Sequence, residues 1–375
     1  MHIAIDALGI TQPGGGRSAT LNLLTALFEI DRDNTYLVFV DEREQAFSAP
    51  NVRQYVTGIQ GRFAARLWAQ LALPVILRRE RVDLVHYIKN LGAFFTPGAT
   101  VVTVYDLSIL ICPDVYPWTD RLYWRFIEPL TLRQAQRIIA ISEDTARDIV
   151  TYYRIPRERI QVIYPGCDPR FRPLPAEEVV KVRRKYKLPD TFILHVGSIS
   201  RKKNLLTLVR AIGSLKKKGV AAQLVLVGRI YEKARDDAVF HYIQQRDLTN
   251  DITWLGAIPD DDLVALYNCA TVLAFPSLQE GFGLVPLEAM ACGLPVVTSG
   301  AGAIREVIGN AGVIVDNPMS EVEWVEILEQ VLRDTNLRAR LRVQGLERAR
   351  LFSNEGAARQ VLQVYHQVTG RQARP

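Results

Sequence analysis

The run Thr271-Val-Leu-Ala-Phe-Pro-Ser277 passes through Leu278 into Gln279-Glu-Gly-Phe-Gly-Leu-Val-Pro-Leu-Glu-Ala-Met-Ala-Cys-Gly-Leu-Pro-Val-Val297. A strand-like apolar segment is followed by a glycine-rich turn, a helical period opening near Leu284, and a second apolar run from Pro295. Strand, loop, helix and strand in that order make a βαβ unit, the connection that parallel strands require. Gly281 and Gly283 let the backbone turn tightly and approach a ligand. The first helical N–H groups have no internal partners and carry partial positive charge, so they suit a phosphate. Glu280 in the loop and Glu288 farther along the helix can face one pocket. Ionised carboxylates only accept hydrogen bonds, so such a pair suits sugar hydroxyls better than the phosphate itself. Read alone, the string is equally a polar turn with solvated glutamates.

The alternation extends outward in both directions. The first half has strand candidates at His2–Ala7, Tyr36–Val40, Val52–Thr57, Val82–His86, Val101–Tyr105, Arg137–Ala140 and Ile160–Ile163, with helical periods such as Ser18–Ile30 and Leu122–Ala135 between them. Ser142 follows an apolar run and precedes a helical one, which predicts an N-cap. The second half repeats the pattern at Phe192–Val196, Gln223–Val227, Ile252–Leu255, Thr271–Phe275, Pro295–Thr298 and Val313–Val315, and the last 55 residues are helical in pattern with a polar tail. Residues 164–175, YPGCDPRFRPLP, hold four prolines and a glycine ahead of the charged stretch EEVVKVRRKYK, and read as an interdomain connection. The chain is therefore expected to be α/β, with two parallel-sheet domains and a ligand cleft at the carboxyl ends of their strands.

Composition sets the outer limits. The 375 residues are 48% hydrophobic and 23% charged, which excludes disorder as the dominant state. The net charge of +6 is unevenly placed: residues 1–165 hold 18 basic and 17 acidic side chains, and residues 166–375 hold 28 and 23. Cys112, Cys167, Cys269 and Cys292 are scattered without metal-ligand spacing, as expected for thiols in a reducing compartment. The first residues lack the basic and apolar regions of a signal peptide, and no apolar run is long enough to span a bilayer.

The string Glu280–Val297 resembles the E-x7-E signature of the family 4 retaining glycosyltransferases, two-domain enzymes of GT-B fold with nucleotide-sugar donors. The resemblance implies two Rossmann-like domains facing across a cleft. Residues 1–168 would bind the acceptor, with the C-terminal helix 353–375 packing back on them, and residues 169–352 would bind the nucleotide sugar. It further implies that Glu288 holds the donor ribose hydroxyls and that Glu280 lies against the donor sugar. Gly281, Phe282, Gly283 and Leu284 would contact sugar and diphosphate.

Further matches follow in family order over nearly the whole chain. His195-Val-Gly-Ser-Ile-Ser-Arg-Lys-Lys-Asn204 resembles the phosphate-binding segment, which gives Lys203 and Lys202 to the diphosphate and adds Ser198 to the donor contacts. Many relatives have arginine at the position of Lys202; a lysine supplies the charge without bidentate geometry. Trp254–Ala270 resembles the base-binding loop, with Ile258 near the nucleobase, while Asp260–Asp262 also suit a helix N-terminus in their own right. Pro13-Gly-Gly-Gly-Arg-Ser18 matches the glycine-rich loop whose backbone, Gly15 and Gly16 first, would close over the diphosphate. On the acceptor side the matches are His86, Tyr105, Asp106, Ser142 and Glu143, and Gly166 and Asp168 match the start of the linker. Relatives usually have His-Asp where this chain has Tyr105-Asp106. A phenol with a pKa near 10 cannot replace imidazole as a base, so Asp106 or the leaving phosphate oxygen becomes the better proton acceptor.

The resemblance thus implies a retaining hexosyltransferase with Glu280, Lys203 and Asp106 as its catalytic set. No Asp-x-Asp motif stands at a strand end, so neither a metal nor a cofactor is expected. GDP-mannose is the first expectation for the donor and a UDP-sugar the second. The acceptor is expected to be a glycan or lipid-linked saccharide, and no nucleic-acid partner is expected. The rival readings are an NAD-dependent oxidoreductase, built on Gly14-Gly-Gly-Arg-Ser-Ala19 with Asp41, a sugar-nucleotide epimerase or phosphorylase on the same fold, and a non-catalytic nucleotide-sugar binder. Against the first, Leu8 to Pro13 separate the first strand from Gly14, whereas a dinucleotide fingerprint follows its strand directly. Residues 61–79, GRFAARLWAQLALPVILRR, have two readings: a proline-broken helix packed on its own sheet, or a basic, apolar surface resting on an anionic bilayer. The expected location is cytoplasmic, with the second reading adding peripheral contact at the inner face of the membrane.

Overall fold

The computed structural model describes residues 1–10, 14–59, 61–111, 113, 116–229 and 238–370. Pro13 of the glycine-rich loop, Cys112 and the tail beyond Gly370 lie outside the described residues. The chain divides into two units, Met1–Gly166 with Phe352–Pro375, and Cys167–Leu351.

In the first unit the strands β1 (His2–Asp6), β2 (Thr35–Val40), β3 (Val52–Val56), β4 (Leu84–Tyr87), β5 (Ala99–Val104), β6 (Arg137–Ala140) and β7 (Ile160–Val162) form one parallel sheet. Their order is β3-β2-β1-β4-β5-β6-β7. A parallel sheet is covered on both faces, so its strands must be apolar on both sides. Ile3, Ile5, Val38 and Val40 point into a core shared with α1 (Gly15–Ile30) and α14 (Asn354–Thr369). Ala4, Leu37 and Phe39 point the other way, toward α2 (Arg62–Arg79), α4 (Trp118–Gln134) and α5 (Glu143–Tyr153). The α14 face consists of Ala357, Ala358, Val361, Val364 and Tyr365, a single helical stripe that is buried throughout. Val361 and Val364, both buried there, contribute about 1.5–3 kcal/mol each.

The unit boundary falls after Gly166, two residues before the expected 168, and the chain returns at Phe352. Phe352 meets Tyr164 edge-on at 5.9 Å between ring centroids. A Cβ on Gly166 would lie 2.2 Å from the Asn354 nitrogen, so only glycine permits that approach. One expectation is corrected: α2 runs unbroken through Pro74 from Arg62 to Arg79.

In the second unit β8 (Phe192–Val196), β9 (Gln223–Val227), β10 (Ile252–Gly256), β11 (Val272–Phe275), β12 (Val296–Ser299) and β13 (Val313–Val315) form another parallel sheet. Its order is β10-β9-β8-β11-β12-β13. The chain also contains the helices α3 (Ser108–Ile111), α6 (Ala176–Lys185), α8 (Ala238–Gln245), α11 (Ile304–Ile308), α12 (Glu321–Arg333) and α13 (Thr335–Ala349). Both sheets are doubly wound, reversing direction between β1 and β4 in one and between β8 and β11 in the other. The loops leaving those central strands are where such sheets bind ligands.

The carboxyl ends of β8 and β9 approach so closely that a Cβ on Gly228 would lie 2.0 Å from the Gly197 carbonyl oxygen, and Gly228 has φ of +145°. We expect Gly228→Ala to destabilise the second unit by at least about 2 kcal/mol, from backbone strain and overpacking together. Gly219→Ala, at φ +72° with open space around it, should cost only about 1 kcal/mol. Denaturant midpoints of the two variants check the difference, and equal losses would contradict it.

Candidate active site

The loops after β8 and β11 are brought together at the reversal point of the second sheet. After β8 the chain turns through Gly197 and Ser198, makes a short 3-10 turn at Arg201–Lys203, and enters α7 (Leu205–Lys217) through Asn204 at φ +51°. The Asn204 amide donates to the Pro318 carbonyl at 2.7 Å and accepts from Thr207 Oγ1 at 2.8 Å, which fixes this entry. The Leu278 N–H donates to the Lys202 carbonyl at 2.8 Å and ties one loop to the other.

Lys203 and Glu280 meet between them. Lys203 Nζ lies 2.5 Å from Glu280 Oε1, with the two side chains 18% and 14% exposed. The ammonium also sits 4.9 Å from the Phe275 ring centroid. The Glu280 carbonyl accepts from Ala303 N–H at 3.1 Å, and Gly302, at φ +59°, makes room for it. Separating a largely buried charge pair leaves an uncompensated charge, so any ligand entering here must supply a replacement for each partner.

His195 lies behind this pair and was given no role by its sequence position. It is fully buried against Phe275, and its Nδ1 is 3.1 Å from the Ala274 carbonyl, so that nitrogen carries the proton. Burial lowers its pKa to about 4. The other ring nitrogen, Nε2, is buried without a hydrogen-bond partner.

Gly283, at φ +109°, caps α10 (Leu284–Ala291) without a side-chain hydrogen bond. Gly281, Phe282 and Gly283 are buried, and Leu284 is half-buried. Glu288 is held by Tyr267, whose hydroxyl donates to its Oε2 at 2.9 Å. Burial raises the Glu288 pKa to about 8; the Tyr267 hydrogen bond opposes this, Asp168 and Asp260 add to it, and Arg170 offsets it. The two glutamates of the E-x7-E string are thus held by different partners. Arg170 forks onto Asp168 at 2.8 and 3.0 Å and reaches Asp260 at 3.4 Å, while Asp262 holds Lys185 at 2.5 Å and Tyr186 at 2.6 Å. Ile258 is half-buried in the connection between β10 and α9 (Asp260–Cys269).

In the first unit, Gly15 and Gly16 open α1, and space is open where a Gly16 Cβ would project. The root of their loop is held by Asp41, which the rival dinucleotide reading uses, and by Lys89 and Asp6, which sequence reading did not single out. Gly9 N–H donates to Asp41 at 2.5 Å, Lys89 donates to the Gly9 carbonyl at 2.5 Å, and Leu8 N–H donates to Asp6 at 3.1 Å. Tyr105 and Asp106 follow β5. The Tyr105 hydroxyl is 2.7 Å from Thr20 Oγ1, and burial raises its pKa to about 12. Asp106 is half-buried, its carboxylate accepting from Ser108 N–H at 3.0 Å.

Two acceptor-side expectations are corrected. His86 is fully buried in β4 between the Tyr365 hydroxyl at 2.6 Å and Thr103 Oγ1 at 2.7 Å, and burial lowers its pKa to about 3. It is a neutral core histidine joining β4 to α14. Ser142 is likewise fully buried; its hydroxyl accepts from Thr145 N–H at 3.0 Å as the N-cap of α5. Glu143 is exposed and pairs with Arg157 at 3.0 Å. Among the described residues, no three His, Cys, Asp or Glu side chains are grouped so that they could hold a metal ion.

Comparison with known proteins assigns this architecture. Residues 179–348 match the model of glycosyl transferases group 1, and residues 13–171 match that of glycosyltransferase family 4. The O-antigen chain mannosyltransferase B of Escherichia coli is 32% identical over 291 residues, covering 76% of this chain and 75% of that protein. The serotype-specific mannosyltransferase WbdA of Escherichia coli is 26% identical, covering 94% of this chain, which spans only 46% of WbdA. Among solved structures, sucrose-phosphate synthase from Thermosynechococcus elongatus superposes with a TM-score of 0.82 at 22% identity, covering 99% of each chain. Anabaena HepE in complex with UDP and glucose superposes with a TM-score of 0.78 at 20% identity, covering 98% of this chain and 100% of that one. These relatives do not favour the oxidoreductase, epimerase or phosphorylase readings. With its two doubly wound sheets and its matches in both halves, the chain is a glycosyltransferase of GT-B fold and belongs to the group 1 (family 4) glycosyltransferases.

Proposed function

We propose that this glycosyltransferase moves mannose from GDP-mannose to a glycan or lipid-linked saccharide, with retention of anomeric configuration and without a metal ion. The observation that carries the reading is the Lys203–Glu280 pair beside the glycine-capped start of α10. The mannosyltransferases among its relatives support the choice of sugar. The complex of HepE with UDP and glucose supports a nucleotide-sugar donor.

Each charge of the pair has a natural replacement in such a donor. The diphosphate takes over Lys203, joined by Lys202, Ser198 and the N–H groups of Gly283 and Leu284. Glu280, released from Lys203, accepts from sugar hydroxyls, and Glu288 accepts from the ribose. Ile258 lies toward the base. In the reaction the bond from the sugar C1 to the diphosphate oxygen breaks, and the acceptor oxygen forms the new bond on the same face. The acceptor proton passes to Asp106 or to the departing phosphate oxygen. Glu280 supports the positive charge that develops on the sugar.

The same reading includes contact with a membrane surface. On α2, Phe63, Leu67, Leu71 and Val75 form one exposed stripe at four-residue spacing, and on α4 Trp118, Leu122, Phe126 and Leu130 form another. Phe63 is 80% exposed, Trp118 68%, and the neighbouring Phe95 83%. The helices are joined by Arg66, which pairs with Asp120 at 2.9 Å and covers the Tyr123 ring at 4.3 Å. Arg78, Arg79, Arg121, Arg125 and Arg133 are exposed on these helices, and their only carboxylates, Asp120 and Glu128, are buried. Apolar side chains framed by arginines, with no exposed carboxylate among the described residues of either helix, suit an anionic bilayer. No helix among the described residues is long and apolar enough to cross a membrane.

Three outcomes are expected. Lys203→Ala and Glu280→Gln should each lower the turnover of GDP-mannose about 10²–10³-fold, followed as GDP release; unchanged turnover in both would overturn the site. GDP-mannose should bind more tightly as pH rises from 6 to 8 and level off above it, because ribose hydroxyls need the ionised form of a carboxyl whose pKa is about 8. Glu288→Gln should abolish that slope in calorimetric titrations, and a pH-independent affinity in the parent protein would contradict the ribose contact. Vesicles containing phosphatidylglycerol should carry the protein up a density gradient at low salt and release it after Leu67→Glu with Phe126→Glu; absence of binding at low salt would refute the membrane contact.

A further inference from the structure

A buried hydrogen-bond relay stands behind the Tyr105–Asp106 dipeptide. Asn90, in the loop after β4, is 4% exposed and has φ of +49°. Its own N–H donates to the Thr103 carbonyl at 2.8 Å. Its side-chain oxygen accepts from Tyr105 N–H at 2.9 Å, and its side-chain nitrogen donates to the Asp106 carbonyl at 2.8 Å. A single amide therefore grips the backbone on both sides of the segment that carries the Asp106 carboxylate. The same amide nitrogen donates to Glu128 Oε1 at 2.7 Å. Glu128, on α4, is fully buried, and its other oxygen accepts from the Tyr153 hydroxyl of α5 at 2.5 Å.

A fully buried carboxyl group whose hydrogen-bond donors here are an amide and a phenol is costly, and an apolar side chain of similar volume would pack more cheaply. What the carboxyl adds is direction. It accepts from one amide hydrogen of Asn90, which leaves the other for the Asp106 carbonyl and fixes the amide in the orientation that serves Tyr105 as well. We propose that Asn90 and Glu128 are positioning residues for the transfer step, setting through the Tyr105–Asp106 backbone where the Asp106 carboxylate meets the acceptor hydroxyl. This rests on the reading of Asp106 as an acceptor-side group.

The Asp106 carboxylate accepts from Ser108 N–H at 3.0 Å, within the same short segment whose backbone Asn90 grips. Burial raises the Glu128 pKa to about 8, opposed by the Tyr153 and Asn90 hydrogen bonds and reinforced by the charge of Asp106. At neutral pH Glu128 is therefore largely protonated, its own proton then donated from Oε2 to the Tyr153 oxygen, and it hydrogen-bonds beside Asp106 without adding a second negative charge. A glutamine, neutral and of the same shape, should replace it; a leucine should not.

The test follows mannosyl transfer from GDP-mannose to methyl α-mannoside, together with GDP affinity by calorimetry and the thermal midpoint of each variant. Asn90→Gly keeps the positive φ and removes the amide, so it separates the relay from backbone strain. We expect Asn90→Gly and Glu128→Leu to lower kcat about 100-fold with GDP affinity within twofold of the parent, and Glu128→Gln to stay within threefold of the parent. Tyr153→Phe, which deletes a single hydroxyl, should fall between them at about fivefold and keeps the test open if Glu128→Leu does not fold. A role in stability alone would lower the thermal midpoint and leave kcat of the folded protein unchanged, which overturns the proposal, as would a Glu128→Gln loss equal to that of Glu128→Leu. Asp106→Asn separates the two levels. If it transfers like the parent, or if the parent itself does not transfer, the reading of donor and acceptor site falls, and this inference with it. If Asp106→Asn is inactive and Asn90→Gly is not impaired, only the positioning role falls.

Discussion

A parallel strand needs a crossover of a dozen or more residues to reach its neighbour, and in each sheet of this chain the crossovers reverse direction beside the first strand. That reversal leaves two adjacent loops diverging from neighbouring strand ends, with nothing of the sheet itself between them. In the second unit those loops carry Lys203 and Glu280; in the first they carry the glycine-rich segment and the loop that holds Lys89 and Asn90. The chemistry is gathered where the topology leaves room, by residues nearly 80 positions apart that meet within 2.5 Å. Gly197 and Gly228 show how closely the backbone must pack to make that room.

Burial does different work on the three carboxyl groups that matter most. Glu280 remains beside a cation, so its charge is matched until a ligand arrives. Glu288 has a phenol as its nearest partner and Glu128 has a phenol and an amide, and burial pushes both toward the neutral form near pH 8. One glutamate thus faces an ammonium, one a single phenol, and one a phenol and an amide. Sequence shows three identical side chains; surroundings make them three different reagents.

The strands were legible because a parallel sheet covered on both faces writes itself as uninterrupted apolar runs, such as Leu37–Val40 and Leu224–Val227. The Gly283 turn into α10 was legible for the same local reason, since glycine at positive φ followed by a helical period leaves few alternatives. His86 was misread because a histidine near a strand end looks alike whether it faces a ligand or a core, and its deciding partner, Tyr365, lies 279 residues away. Pro74 misled because a proline within a helix removes one hydrogen bond without always ending the helix. The Asn90–Glu128–Tyr153 relay left no trace in spacing, because its members come from three elements and are joined only by packing.

The return of α14 to the first unit has a consequence for how the protein is made. Its stripe from Ala357 to Tyr365 closes one face of a sheet whose strands were all synthesised before residue 166. At 5–20 residues per second, a ribosome needs on the order of 10–40 s to cross the intervening second unit. During that interval Ile5, Val38, Val101 and the apolar side of α1 await their last covering helix. The second unit, contiguous in sequence, can complete its own core first. The first unit begins earlier and finishes later, and its nascent sheet is the surface a holding chaperone would meet.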